Sequence, residues 1–139
     1  MAHDNLIQLF EQQRIDVLVG TQMLVKGLDF EQLSLVGVLD ADGLLSFADF
    51  RANERAFQLM EQVSGRAGRK DEQGKVLIQA TKINHPVILF VQQHDYKRFY
   101  DYEIDNRQLF FYPPYSRIIK IILKHKIKEV ENKAAERLA

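Results

Sequence analysis

Short apolar runs, separated by polar turns and by stretches of helical period, organise this chain. Residues 5–13 place Leu6, Ile7, Leu9 and Phe10 at helical spacing behind Asp4, a candidate N-cap, and predict the covering helix of an α/β unit. Asp16-Val-Leu-Val-Gly20 and Ser34-Leu-Val-Gly-Val-Leu-Asp40 are brief, nearly continuous apolar runs of the buried parallel-strand type. Lys75-Val-Leu-Ile-Gln-Ala80 is a third, introduced by the turn signal Asp71-Glu-Gln-Gly74. Between the second and third, an irregular stretch follows Asp40-Ala-Asp-Gly43. Residues 52–63 then read as a helix with Ala56, Phe57, Leu59, Met60 and Val63 on its buried side.

Beyond the third run, residues 86–94 and 96–109 predict a helical pair, the second rich in aromatics: Tyr96, Phe99, Tyr100 and Tyr102. Tyr112-Pro-Pro-Tyr115 stops that helix, because the residue before a proline is biased away from helical backbone. Residues 117–123 alternate well enough for a further strand, and residues 129–138 form an amphipathic helical pattern. Strands alternating with helices place the chain in the α/β class with a parallel sheet. The last strand and helix read as half of a unit, which sets residues 112–139 apart from residues 1–111.

A length of 139 residues with 46% hydrophobic content supports one compact core, or one domain plus a fragment of another. Nineteen Lys and Arg balance nineteen Asp and Glu, so no overall basic field draws in nucleic acid and no disorder signature is present. The balance conceals a split: residues 1–50 hold two basic and eight acidic side chains, and residues 51–139 hold seventeen and eleven. With no cysteine, the chain excludes a disulfide framework, a Cys-based zinc site and a thiol nucleophile, and is compatible with a reducing cytoplasm. No apolar run approaches the length that spans a bilayer, so no membrane partner is expected. His3, His85, His94 and His125 lie at no metal-ligand spacing, and no metal is assigned to this chain.

Two segments carry candidate chemistry. In Gly65-Arg66-Ala67-Gly68-Arg69, preceded by Gln62, two arginines separated by small residues suit a γ-phosphate and its transition-state charge; a glycine-rich helix end with solvated arginines explains the segment equally well. In Gly20-Thr-Gln-Met-Leu-Val-Lys-Gly-Leu-Asp-Phe30, Thr21 offers a hydroxyl and N–H to a phosphate, Gly27 permits a tight turn, and Asp29 can accept from a ribose. The bland alternative is a strand, a loop and a glycine turn. Both segments fall at the carboxyl edge of the expected parallel sheet, where α/β proteins bind ligands.

The combination resembles a known family. Val19-Gly-Thr-Gln-Met-Leu-Val-Lys-Gly-Leu-Asp-Phe30 is similar to motif V of superfamily 2 helicases, and Gln62-Val-Ser-Gly-Arg-Ala-Gly-Arg69 to motif VI. With Asp40-Ala-Asp42, Asp49-Phe-Arg-Ala-Asn-Glu-Arg55 and Tyr112-Pro-Pro, the resemblance narrows to the replication-restart helicases of the bacterial primosome and runs over nearly the whole chain. It implies the latter part of a RecA-like second helicase lobe and the opening of a C-terminal domain, from an ATP-dependent 3′ to 5′ DNA helicase of the bacterial cytoplasm. Implied partners are forked and single-stranded DNA, single-stranded-DNA-binding protein and other primosome proteins.

By the same resemblance, Gln62, Arg66 and Arg69 reach the γ-phosphate, with Arg69 as the arginine finger. Asp29, Gly27 and Gly65 attend the nucleotide, and Thr21, Gln22 and Lys26 the DNA. Asp40 and Asp42 lie near the cleft or DNA path by analogy, whereas turn-capping accounts for two such carboxylates from the residues alone.

Three departures limit what the chain does by itself. The nearest approach to a P-loop runs from Gly68 to Gly74-Lys75-Val76, with five intervening residues and no hydroxyl. There is no acidic box for magnesium, and none of the cysteines of the family's zinc-binding insertion. ATP and Mg²⁺ are therefore expected in the intact protein, and this chain alone is expected to be inactive. An alternative class is a non-catalytic module binding nucleic acid or protein. For it, the basic C-terminal half provides the surface; by the resemblance, residues 115–139, with seven basic and three acidic side chains, fit the family's C-terminal domain, and an exposed strand edge and apolar helix face there favour a fragment dimer.

Overall fold

The computed structural model describes residues 2–21, 33–65 and 74–138. Among these, the chain forms helices α1 (Ala2–Glu11), α2 (Ala41–Leu45), α3 (Ala52–Ser64), α4 (Pro86–Gln92), α5 (Tyr96–Leu109) and α6 (Lys128–Glu136), and strands β1 (Leu35–Val38) and β2 (Lys75–Ile78). They group into two compact units, Met1–Ile104 and Asp105–Ala139.

In the first unit β1 and β2 pair in parallel, with Leu35 opposite Lys75 and Val38 opposite Ile78. A parallel pair requires a crossover, and here α2 and α3 supply it. The core lies where α3 and α4 meet the sheet: Val38, Ala41, Ala56, Phe57, Met60, Val63, Val87, Phe90, Val91 and Phe99 form one buried cluster. Met60 and Val87 are completely buried, and four of the five positions read as the buried side of α3 line this cluster, with Leu59 partly buried against it. Aromatic packing fixes α5: Phe99 stacks on Phe57, and Phe90 meets Phe99 edge-on at 6.4 Å and Tyr102 at 5.7 Å. The α5 aromatics Phe99 and Tyr102 therefore pack against α3 and α4, while Tyr96 and Tyr100 remain exposed.

Several expectations need correction. Asp16–Gly20 is not a strand, and the paired sheet among the described residues has two strands rather than three. Val17 and Val19 are 75% and 80% exposed, so the apolar run lacks the ladder and neighbour that would bury it. α1 begins at Ala2, which puts Asp4 inside its first turn instead of at the N-cap. The stretch after Gly43 is not irregular at its start, because Asp40 and Gly43 build α2.

In the second unit α6 forms as expected, but residues 117–123 carry no regular secondary structure and are not a strand; Ile119 is 86% exposed. The β of the expected β-α piece has no partner among the described residues. Alternation encodes a side-chain pattern, whereas a strand also needs a neighbouring backbone.

Candidate functional site at the end of helix α3 and the carboxyl edge of the sheet

α3 is built from its amino end by local carboxylates. Asp49 accepts from the Arg51 N–H at 2.9 Å and pairs with the Arg55 guanidinium at 2.9 Å. The Arg51 N–H first, and then the Arg55 charge, hold the Asp49 carboxyl below the usual carboxylate range. Arg51 meets Glu54 at 2.8 and 3.2 Å, one turn along. The segment Asp49-Phe-Arg-Ala-Asn-Glu-Arg55 is thus an ion-paired helix start, a role visible only once its side chains are placed.

At the other end, Ser64 Oγ donates to the Met60 carbonyl at 2.8 Å, and the Gly65 N–H donates to the Glu61 carbonyl at 2.9 Å. Gly65 holds right-handed backbone, φ −69° and ψ −8°, and a Cβ there would lie 3.5 Å from the Glu61 carbonyl oxygen, an ordinary contact. Local geometry therefore does not demand glycine at this position. Gln62 is exposed on the last turn. Glu61 faces the turn between α4 and α5, where His94 Nδ1 lies 3.1 Å from one of its carboxylate oxygens and 3.3 Å from the other. His94 itself adopts φ 51°, left-handed backbone that histidine tolerates better than most residues.

The carboxyl ends of β1 and β2 lead into an open polar hollow of about 200 Å³ lined by Asp40, Asp42, Gln79, Ala80 and Thr81. Both carboxylates are committed to the backbone. Asp40, at φ 53°, caps α2 by accepting from the Gly43 N–H at 3.1 Å. A Cβ on Gly43 would come within 2.5 Å of that carboxylate, so glycine is what lets the cap close. Asp42 reaches across to accept from the N–H groups of Thr81 and Lys82, and the Thr81 bond is the main reason its carboxyl sits below the usual range. The Ala41 N–H donates to the Gln79 carbonyl at 3.0 Å, completing the tie between the two strand exits. This donor set suits turns and does not fit a magnesium ion. Among the described residues no three His, Cys, Asp or Glu side chains gather to hold a metal.

Of the residues singled out in the sequence, Gln62 and Gly65 stand together at the end of α3, and Thr21 is exposed after the apolar run of residues 16–20. Gln22, Lys26, Gly27, Asp29, Arg66 and Arg69 lie outside the described residues. The described part of the arginine-containing segment is therefore the helix terminus that leads into Arg66.

Residues 2–71 match the helicase conserved C-terminal domain. The chain belongs to that helicase family. Over most of the chain there is a second, narrower likeness, to replication restart proteins. The chain is 52% identical over 118 residues, 85% of its length, to the replication restart protein PriA of Synechocystis sp., and 43% identical over 138 residues, 99% of its length, to that of Bacillus subtilis. PriA of Treponema pallidum is 42% identical over 129 residues, 93% of the chain. The chain spans only 14%, 17% and 20% of the lengths of these three relatives. Among the described residues, no helix is long and apolar enough to cross a membrane.

Proposed function

We propose that this chain is the part of a PriA-type, ATP-dependent 3′ to 5′ DNA helicase that completes the ATP site from the second lobe. The observation that carries the reading is the position of Gln62 and Gly65 at the terminus of α3, directly before Arg66-Ala-Gly-Arg69, in a chain 52% identical to a replication restart protein. A rigid helix delivers the segment, and two arginines following it supply fixed charge for a γ-phosphate. Arg69 acts as the finger, Arg66 and Gln62 bind the γ-phosphate, and Gly65, Gly27 and Asp29 line the nucleotide. Thr21, Gln22 and Lys26 grip the DNA backbone. ATP and its magnesium are bound mainly by a P-loop that this chain does not contain. Forked and single-stranded DNA are the substrates, with single-stranded-DNA-binding protein and other primosome proteins as partners in the bacterial cytoplasm.

The test is DNA-stimulated ATP hydrolysis by the full-length protein with Arg69→Ala. Turnover is expected to fall by about 10³-fold or more, the scale of an arginine finger, with DNA binding retained. Unchanged turnover would remove Arg69 from the site. If the isolated chain also binds DNA tightly in that case, the non-catalytic binding module replaces the helicase-lobe reading.

A further inference from the structure

Between Asp105 and Glu129 the chain carries no acidic side chain, while Arg107, Arg117, Lys120, Lys124, Lys126 and Lys128 give that stretch six positive charges. Phe110, Phe111, Tyr112 and Tyr115 fall within it, and the whole stretch belongs to the second unit.

The rings sit on the turn that ends α5, and the backbone of that turn is tied down. The Phe110 N–H donates to the Asn106 carbonyl at 3.0 Å, and the Tyr112 N–H to the Arg107 carbonyl at 2.8 Å. Arg107 Nη1 reaches forward to the Pro113 carbonyl at 3.2 Å, and Ser116 Oγ donates to the Phe111 carbonyl. The side chains, in contrast, face water: Phe110 is 61% exposed and Phe111 76%, with Tyr115 half-exposed. Phe111 is also held at φ 53°, a left-handed backbone that an aromatic residue rarely adopts. A strained backbone that turns a large apolar ring into solvent contributes little to the fold, and both strain and exposed apolar patches collect where a partner is bound.

Rings alone would suit many partners, and the charge selects among them. A stretch of cations with no carboxylate suits a polyanion better than a protein surface of mixed sign. Duplex DNA offers phosphates, but its bases are already stacked on one another. A single strand offers phosphates and open base faces together, and base–aromatic stacking beside a basic track is how such strands are held. The rings of Phe110 and Tyr112, 6.3 Å apart between centroids and tilted by 40°, do not stack on each other.

We infer that Phe110, Phe111 and Tyr115 form a stacking platform for the bases of single-stranded DNA, with Arg117, Lys120 and Lys124 serving the adjoining phosphates. The inference rests on the reading of single-stranded DNA as a substrate, and adds to it a contact in the second unit, far in sequence from Thr21, Gln22 and Lys26.

The experiment uses the full-length protein and compares its affinity for an oligothymidine strand of about 15 nucleotides with that for the same strand carrying internal abasic residues. Phe111→Asn, which suits the left-handed backbone while removing the ring, and Phe110→Ala are each expected to weaken oligothymidine binding roughly tenfold, the scale of one lost base stack. Binding to the abasic strand should change by less than about twofold, because no base is there to lose. Phe111→Trp, which keeps a ring, is expected to retain the affinity. Lys120→Gln together with Lys124→Gln should make the slope of log affinity against log salt shallower by about 0.7 for each lysine, whereas the ring variants leave that slope unchanged. Tm is expected to stay within about 2 °C in all of them, since these side chains are exposed.

If the unsubstituted protein binds oligothymidine and both ring variants bind it equally well, the platform is overturned and the helicase reading stands. Equal losses on the oligothymidine and abasic strands overturn it too, because a base is then not what the ring holds. So does a loss of binding to vesicles of phosphatidylserine and phosphatidylcholine with DNA binding intact, which makes the surface a membrane contact. If the unsubstituted protein binds neither strand, the reading of single-stranded DNA as a substrate fails and the platform fails with it.

Discussion

Phe57 of α3 lies flat against Phe99 of α5, with ring centroids 4.0 Å apart and planes 4° from parallel. Both rings are buried, at 3% and 4% exposure, so this contact is where α5 joins the core of the first unit. Phe99→Ala is expected to destabilise the chain by about 3–5 kcal/mol, the cost of a large cavity in a packed core. Phe99→Leu should cost clearly less, since it keeps much of the apolar volume. Urea unfolding of the two variants checks the order; an alanine variant as stable as the parent chain would mean that α5 is not docked here.

Acid stability should depend on two carboxylates. Asp42 and Asp49 have folded pKa values below their ordinary 3.8, Asp42 through the Thr81 N–H and Asp49 through the Arg51 N–H. A depressed carboxyl stabilises the fold above the unfolded pKa, and that contribution is lost as pH falls through the folded value. Asp42→Asn and Asp49→Asn should therefore each lower Tm near neutrality and flatten its fall below pH 3.8. A Tm profile identical to that of the parent chain in both variants would show that these bonds do not persist in solution.

His85 titrates in a different window. Its Nδ1 accepts from the Val87 N–H at 3.3 Å and so caps α4, a task only the unprotonated nitrogen can perform. Burial, and then the Lys82 charge, pull the imidazole pKa below 6.5. The folded state thus favours the neutral ring, and its stabilising effect is present above pH 6.5 and lost as pH falls through the folded value. His85→Ala is expected to cost about 1 kcal/mol, as for other lost N-caps. His85→Ser should restore the cap and remove the pH dependence, which thermal unfolding at pH 5 and pH 8 would reveal.

Gly65 allows stability and activity to be separated. Its backbone is right-handed and a methyl group meets only ordinary contacts, so Gly65→Ala should stabilise the chain by about 0.4–1 kcal/mol through the unfolded state. If Gly65 lines the nucleotide, the same change should reduce ATP turnover in the full-length protein. Turnover that is unaffected would take Gly65 out of the site.

The parts legible in the sequence were those with local causes. The apolar face of α3 was readable because Ala56, Phe57, Met60 and Val63 recur at helical period, and the end of α5 because Tyr112-Pro-Pro follows it. Asp40 and Asp42 were legible as turn-capping residues, since short acidic side chains beside glycine bond their own backbone readily. The two unpaired apolar runs were misread because Val17, Val19, Ile118 and Ile119 carry strand chemistry but no information about a neighbour. The Glu61–His94 contact was invisible for a related reason: thirty-three residues separate its members, and only the packing of α3 against α4 brings them together.

α3 can also be regarded as a lever. Its thirteen residues make it about 20 Å long, so a tilt of only ~3° about the Asp49–Arg55 end sweeps the Gln62 end through about 1 Å. A displacement of that size is enough to cost a reacting system about a hundredfold in rate. The ion pairs at the far end of the helix lie where such a tilt would hinge, so the stiffness of that end limits how far the opposite tip can swing.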